Sequence, residues 1–277
     1  MIEWLLEPLT YGFVVRGLIA GLLAGIACGA LSAFVVWRGL AFAGDAIAHT
    51  ILPGVVLAFA LGLNLLLGAV IAALVAVAGI GWVSGHATLR EDTAIGVVFA
   101  GSFALGILLM SRVASMQDLN HVLFGNILSV GPTDLVAMGI VVVFVIGALA
   151  LFHKELVATS FDPAHAVAIG LSPTVVKYGL LSGVALTTVV AVRTVGIVLV
   201  IALLVTPAAA ASLLSNRLGR IVQLSVLFTV VATLVGFYAS YYADWSSGPA
   251  VVLALTGCFV LASVLRRLKR QRSALPR

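Results

Sequence analysis

Gly17-Leu18-Ile19-Ala20-Gly21-Leu22-Leu23-Ala24-Gly25-Ile26-Ala27-Cys28-Gly29-Ala30-Leu31-Ser32-Ala33-Phe34-Val35-Val36 carries no charge over its whole length. A helix needs about 20 apolar residues to cross the hydrocarbon core of a bilayer. This stretch, taken as residues 13–36, therefore predicts a membrane span. Working outward, the same reading places spans at 40–62, 64–85, 93–112, 132–152, 174–192, 194–214, 220–242 and 247–265. The expected fold class is all-α, a polytopic integral membrane helical bundle of about 8–9 transmembrane helices. Segment 40–62 stands apart because Asp45, His49 and Pro53 interrupt its apolar run.

Composition agrees. The 277 residues are 62% hydrophobic and 9% charged, whereas soluble domains carry about a quarter charged residues. Fifteen Lys and Arg with ten Asp and Glu cannot cover a water-facing surface. A soluble enzyme and a disordered chain are excluded. So is nucleic acid as a partner, despite the net charge of +5; the lipid bilayer is the partner this composition requires. Cys28 and Cys258 lie in apolar runs and read as small apolar filler rather than a disulfide. Residues 1–12 lack the basic n-region of a targeting signal and read as an N-terminal interfacial segment, with Trp4 and Tyr11 suited to headgroup depth.

Lys and Arg set the expected orientation. The run Arg266-Arg267-Leu268-Lys269-Arg270-Gln271-Arg272 opens a basic tail, 266–277, that should be cytoplasmic. Counting back through nine spans puts twelve of the fifteen basic residues on that side and leaves Arg16, Arg112 and Arg193 outside. Between them lies one transmembrane domain, 13–265.

Two packing features stand out. Gly17, Gly21, Gly25 and Gly29 fall along one stripe of the first span and predict close approach of another helix. Residues 153–177 form the longest polar stretch of the interior. Within it Asp162 suits an N-cap, Pro163 the first helical position and Gly170 the position past the end. A helix of about two turns over 161–170 is expected on the cytoplasmic side, presenting a small apolar face to a partner.

Most ionisable residues sit near span ends, where solvation or capping accounts for them: Glu91, Asp92, Asp134, Arg193 and Asp244. Asp45 and His49 are different. They lie four residues apart, on one helical face, about 10 and 16 Å along a helix from Arg38. Ionisable groups at such depth mark pathways. Pro53 extends the same row and cannot donate to the carbonyl of His49, which is expected to be free. A carboxylate beside an imidazole suits a divalent first-row metal, although a buried Asp–His pair could also simply tie helices together. Because a ligating histidine must be neutral, metal uptake through this pair is expected to weaken in acid. No phosphate-binding loop, H-E-x-x-H or G-x-S-x-G motif is present.

Gly44-Asp45-Ala46-Ile47-Ala48-His49-Thr50-Ile51-Leu52-Pro53-Gly54 resembles the G-D-x-x-x-H-x-x-x-P-G signature of the membrane permease subunits of bacterial ABC importers for manganese, zinc or iron. Glu91-Asp92-Thr93-Ala94-Ile95-Gly96, His121 to Leu128, Val205 to Ala209 and Ser247-Gly248-Pro249 are similar to further segments of that family, and the resemblance runs from about residue 8 to 265. It implies a multi-pass permease of the bacterial plasma (inner) membrane that pairs as a homodimer. Cytoplasmic ABC ATPase subunits and an extracellular metal-binding lipoprotein or solute-binding protein would complete the importer. The permease itself would then be no enzyme. It would hold no permanent cofactor, only the transported divalent metal, with manganese ahead of zinc or iron. The family's metal pair falls on Asp45 and His49, and its ATPase-coupling helix on Phe161, Asp162, Pro163, Ala166 and Gly170. Pro53 and Gly54 supply kink and packing. Asp118 and His121 are candidates to hold the ion at an external gate. Two other classes fit the residues: an ion-coupled secondary transporter using Asp45 and His49 as a proton relay, and a membrane scaffold.

Overall fold

A chain dissolved in lipid must satisfy its backbone polar groups internally, and the computed structural model does so with helices alone among its described residues, 6–86, 90–113 and 130–273. After a short turn at Glu7–Thr10 come α1 (Gly12–Trp37), α2 (Ala43–Thr50), α3 (Leu52–Ala60), α4 (Leu65–His86), α5 (Glu91–Met110) and α6 (Pro132–Leu151). Then come α7 (His153–Phe161), α8 (Pro163–Ala168), α9 (Pro173–Val195), α10 (Ile197–Leu214), α11 (Leu218–Ala243) and α12 (Ser247–Ser273). Among the described residues nine helical stretches are long and apolar enough to cross a membrane, counting Ala43–Ala60 as one. The all-α bundle expected from hydropathy is the fold found.

Local chemistry sets several boundaries. Prolines occupy the first turns of α6, α8 and α9, where a missing N–H leaves no bond unmade. Asp134 accepts from the Gly131 N–H at 3.1 Å and Ser172 from the Val175 N–H at 3.4 Å. Two segments differ from expectation. The span at 40–62 is two helices, broken at Ile51 ahead of Pro53. The last helix runs past residue 265 to Ser273, since arginine and lysine are good helix formers and nothing there stops the turn.

The first span is the axis of the bundle. Of its apolar stretch 72% is buried within the chain, against 17% for α5 and for α6. Its four stripe glycines, Gly17, Gly21, Gly25 and Gly29, are all buried. A Cβ on Gly29 would come within 2.8 Å of Thr229 Oγ1 and 3.2 Å of the Val226 Cα. Small residues therefore let α1 and α11 approach closely, as lipid-embedded helices require. On another side, Ser32 Oγ accepts from the Ala208 N–H at 3.1 Å, beside Pro207 inside α10. The broken span packs on other helices: α2 on α5, α9 and α10, and α3 on α4 and α5.

Candidate metal site in the broken span

Of the eight residues in α2, six are buried: Ala43, Gly44, Ala46, Ile47, Ala48 and Thr50. Gly44 is pressed to Leu204 of α10, whose Cδ1 would lie 2.6 Å from an added Cβ. Helical periodicity then leaves one direction for Asp45 and His49, away from α10. Their side chains are 32% and 33% exposed. They are the only two of this helix that reach the chain's surface.

Asp45 Oδ1 and His49 Nε2 lie 3.6 Å apart, longer than a hydrogen bond. Two ligands bound to one ion at about 2.1 Å sit roughly 3.0 Å apart at a right angle and roughly 3.4 Å apart at the tetrahedral angle. Only a small closure separates the pair from that geometry. The imidazole is walled by Phe103 and Phe99 of α5, with ring centroids at 5.4 and 5.8 Å. Those two rings stack at 5.8 Å and 18°. The wall limits the rotamers of His49 and keeps its edge toward Asp45.

Pro53 has no N–H to donate to the His49 carbonyl, and the helix breaks at Ile51, two residues beyond it. Helical bonding resumes with the Val55 N–H to the Ile51 carbonyl, 3.1 Å. Just beyond, Gly54 meets Gly68 of α4 backbone to backbone: a Cβ on Gly54 would lie 2.2 Å from the Gly68 carbonyl oxygen. That crossing holds the broken span against α4.

No group of three or more His, Cys, Asp or Glu side chains gathers to form a metal site among the described residues. One chain thus offers two ligands. Asp118 and His121 lie outside the described residues, as do Trp4 and the 121–128 segment.

Far from this pair in sequence, the short helix α8 has the caps its residues predict. Asp162 Oδ1 accepts from the His165 N–H at 2.9 Å, Pro163 opens the helix, Ala166 is fully buried and Gly170 ends the turn at φ +84°. Phe161, Val167 and Ile169 remain exposed.

Sequence reading missed three long-range polar links. Arg38 donates from Nε to Ser160 Oγ at 3.0 Å and from Nη2 to Thr159 Oγ1 at 2.6 Å. Burial lowers its pKa, and the charge of Glu91 acts in the other direction. Lys177 Nζ meets Glu91 Oε1 at 2.6 Å, and Arg193 Nε meets Asp134 Oδ1 at 3.3 Å. No local spacing signals any of these, because each pair joins different helices.

Residues 10–266 match the profile of the ABC 3 transport family. The chain is 42% identical over 252 residues to the manganese transport system membrane protein MntC of Listeria innocua, covering 91% of this chain and 90% of that one. It is 36% identical over 263 residues to the chelated iron transport system membrane protein YfeD of Yersinia pestis, covering 95% and 89%. Among solved structures it superposes on PsaBC from Streptococcus pneumoniae in complex with Fab, with TM-score 0.83, 36% identity and 95% of both chains covered. The nine apolar helices and these matches, which span nearly the whole chain, establish it as a membrane permease of the ABC 3 transport family.

Proposed function

We propose that this chain is the permease of an ATP-driven importer of divalent transition-metal ions, with manganese as the ion and zinc or iron as competitors. The observation that carries the reading is the Asp45–His49 pair, on the one open face of an otherwise buried helix. Carboxylate oxygen suits Mn²⁺, and imidazole accommodates it along with zinc and iron. The manganese and iron systems among the relatives favour the same set. Two ligands make a weak site. A second copy facing the first would bring four, and α5 and α6 have ample uncovered surface for such a homodimer. Modest affinity serves transport, because the ion must leave again.

ATP hydrolysis belongs to separate cytoplasmic subunits docked at α8. An external binding protein delivers the ion, and the basic end of α12 lies in the cytoplasm. In vesicles holding the permease with its ATPase and binding protein, radioactive manganese should accumulate only with ATP, and unlabelled zinc or iron should compete. Uptake indifferent to ATP but driven by a proton gradient would replace this reading with a secondary transporter.

A coupling role for α8 gives a separate expected outcome. Asp162→Ala removes an N-cap, at about 1 kcal/mol. Gly170→Leu puts a side chain at φ +84°, at about 1–2 kcal/mol. The double variant should hydrolyse ATP but import manganese at least about tenfold more slowly, with manganese occupancy unchanged. Import at the parental ratio to ATP hydrolysed would remove α8 from the coupling route.

A further inference from the structure

A stiff elbow ties the short helix α8 to the start of α9. The Leu171 N–H donates to the Ala166 carbonyl at 2.9 Å and the Gly170 N–H to the Val167 carbonyl at 3.0 Å. Ser172 then caps α9. A displacement of α8 therefore passes directly to the first turns of α9, where Lys177 stands five positions from the cap.

Lys177 reaches across to Glu91, the first residue of α5, at 2.6 Å. The lysine is 18% exposed and the glutamate 42%, so solvent and salt reach the pair from the glutamate's side only. Elsewhere α9 and α5 barely touch: the neighbours of α9 within the bundle are chiefly α4, α1, α6 and α2. With so little packing between the two helices, this ion pair is the principal link among the described residues. Along α5, Phe99 and Phe103 lie about 12 and 18 Å from Glu91, and they wall His49.

The helix that precedes α8 is anchored as well. Ser160 and Thr159 of α7 hold Arg38, one residue before the Gly39 turn at φ +70° that leads into α2. That contact fixes the end of the chain segment bearing Asp45. The Lys177–Glu91 contact addresses the opposite wall of the same site.

We propose that the Lys177–Glu91 ion pair is the joint through which movement of α8 displaces α5, and with it the Phe99–Phe103 wall against His49. Both are positioning residues: neither reaches the metal pair. This inference rests on the importer reading above. In the reconstituted importer, Lys177→Glu alone and Glu91→Lys alone should each lower ATP-driven manganese import about tenfold. Manganese occupancy and the rate of ATP hydrolysis should stay at parental levels, which a general loss of structure would not allow. Lys177→Arg should import normally. The double swap, Lys177→Glu with Glu91→Lys, should return import to within about threefold of the parent. If a single variant fails to assemble, the double swap decides alone. Single variants at the parental rate, or an assembled double swap no better than the singles, would overturn the joint. Absence of ATP-driven import in the parental protein would overturn the importer reading itself, and the joint with it.

Discussion

His49→Ala and Asp45→Asn are each expected to lower ATP-driven manganese import on the order of 100-fold while the permease still assembles with its ATPase. The magnitude follows from coordination. Removing a partner one shell out from a metal already costs about 10–100-fold in affinity or activity, and removing a ligand should reach at least the upper end. The assembly expectation follows from position. Both side chains are about one-third exposed and 3.6 Å apart, so neither satisfies a buried hydrogen bond of the fold. Asp45→Asn keeps shape and loses charge, which separates ligation from packing. His49→Ala leaves a space beside Phe99 and Phe103 but no unpaired polar group. The checks are uptake in vesicles, manganese occupancy by equilibrium binding and co-purification of the ATPase. If folded yield fell in step with transport, the pair would be structural. If either variant imported at the parental rate, the ion would pass elsewhere.

Gly54→Ala is expected to destabilise the permease by about 3 kcal/mol or prevent its accumulation. The added Cβ would lie 2.2 Å from the Gly68 carbonyl oxygen and 2.5 Å from the Ala72 Cβ. The crossing is reciprocal, since a Cβ on Gly68 would lie 2.4 Å from the Gly54 oxygen. No rotamer change relieves a clash with backbone, so α3 and α4 must separate. Gly101→Ala is the control, because a Cβ there meets nothing within 4 Å. Thermal unfolding in detergent should distinguish the two variants clearly. Equal stability of Gly54→Ala and the parent would mean that the two helices do not cross this closely.

The candidate site was legible in part. Four-residue spacing put Asp45 and His49 on one face, and their depth from Arg38 set them apart from charges at span ends. Asp162, Pro163 and Gly170 announced α8, because capping is a local event between neighbouring residues. Pro53 announced a break but not its form: the span divides at Ile51 into the separate helices α2 and α3. The aromatic wall of Phe99 and Phe103 was invisible, since two apolar residues in an apolar span carry no mark of what they touch.

Sequence alone determined that there are about 8–9 spans, their approximate limits and the residues equipped to meet a cation. Each is a local property: hydropathy is measured against the bilayer, and i, i+4 spacing against the helix. The tertiary structure alone decided that α1 is the axis while α5 and α6 stand at the edge. It also decided that Lys177 meets Glu91 and that Arg38 holds α7. In water, an apolar stripe tells which face of a helix is buried. In lipid, the surroundings are as apolar as the protein interior, and spans that are apolar all round give no such sign. Which helix lies beside which is then set by close packing, as at Gly29 against Thr229 and Gly54 against Gly68, and by polar contacts between residues far apart in the chain.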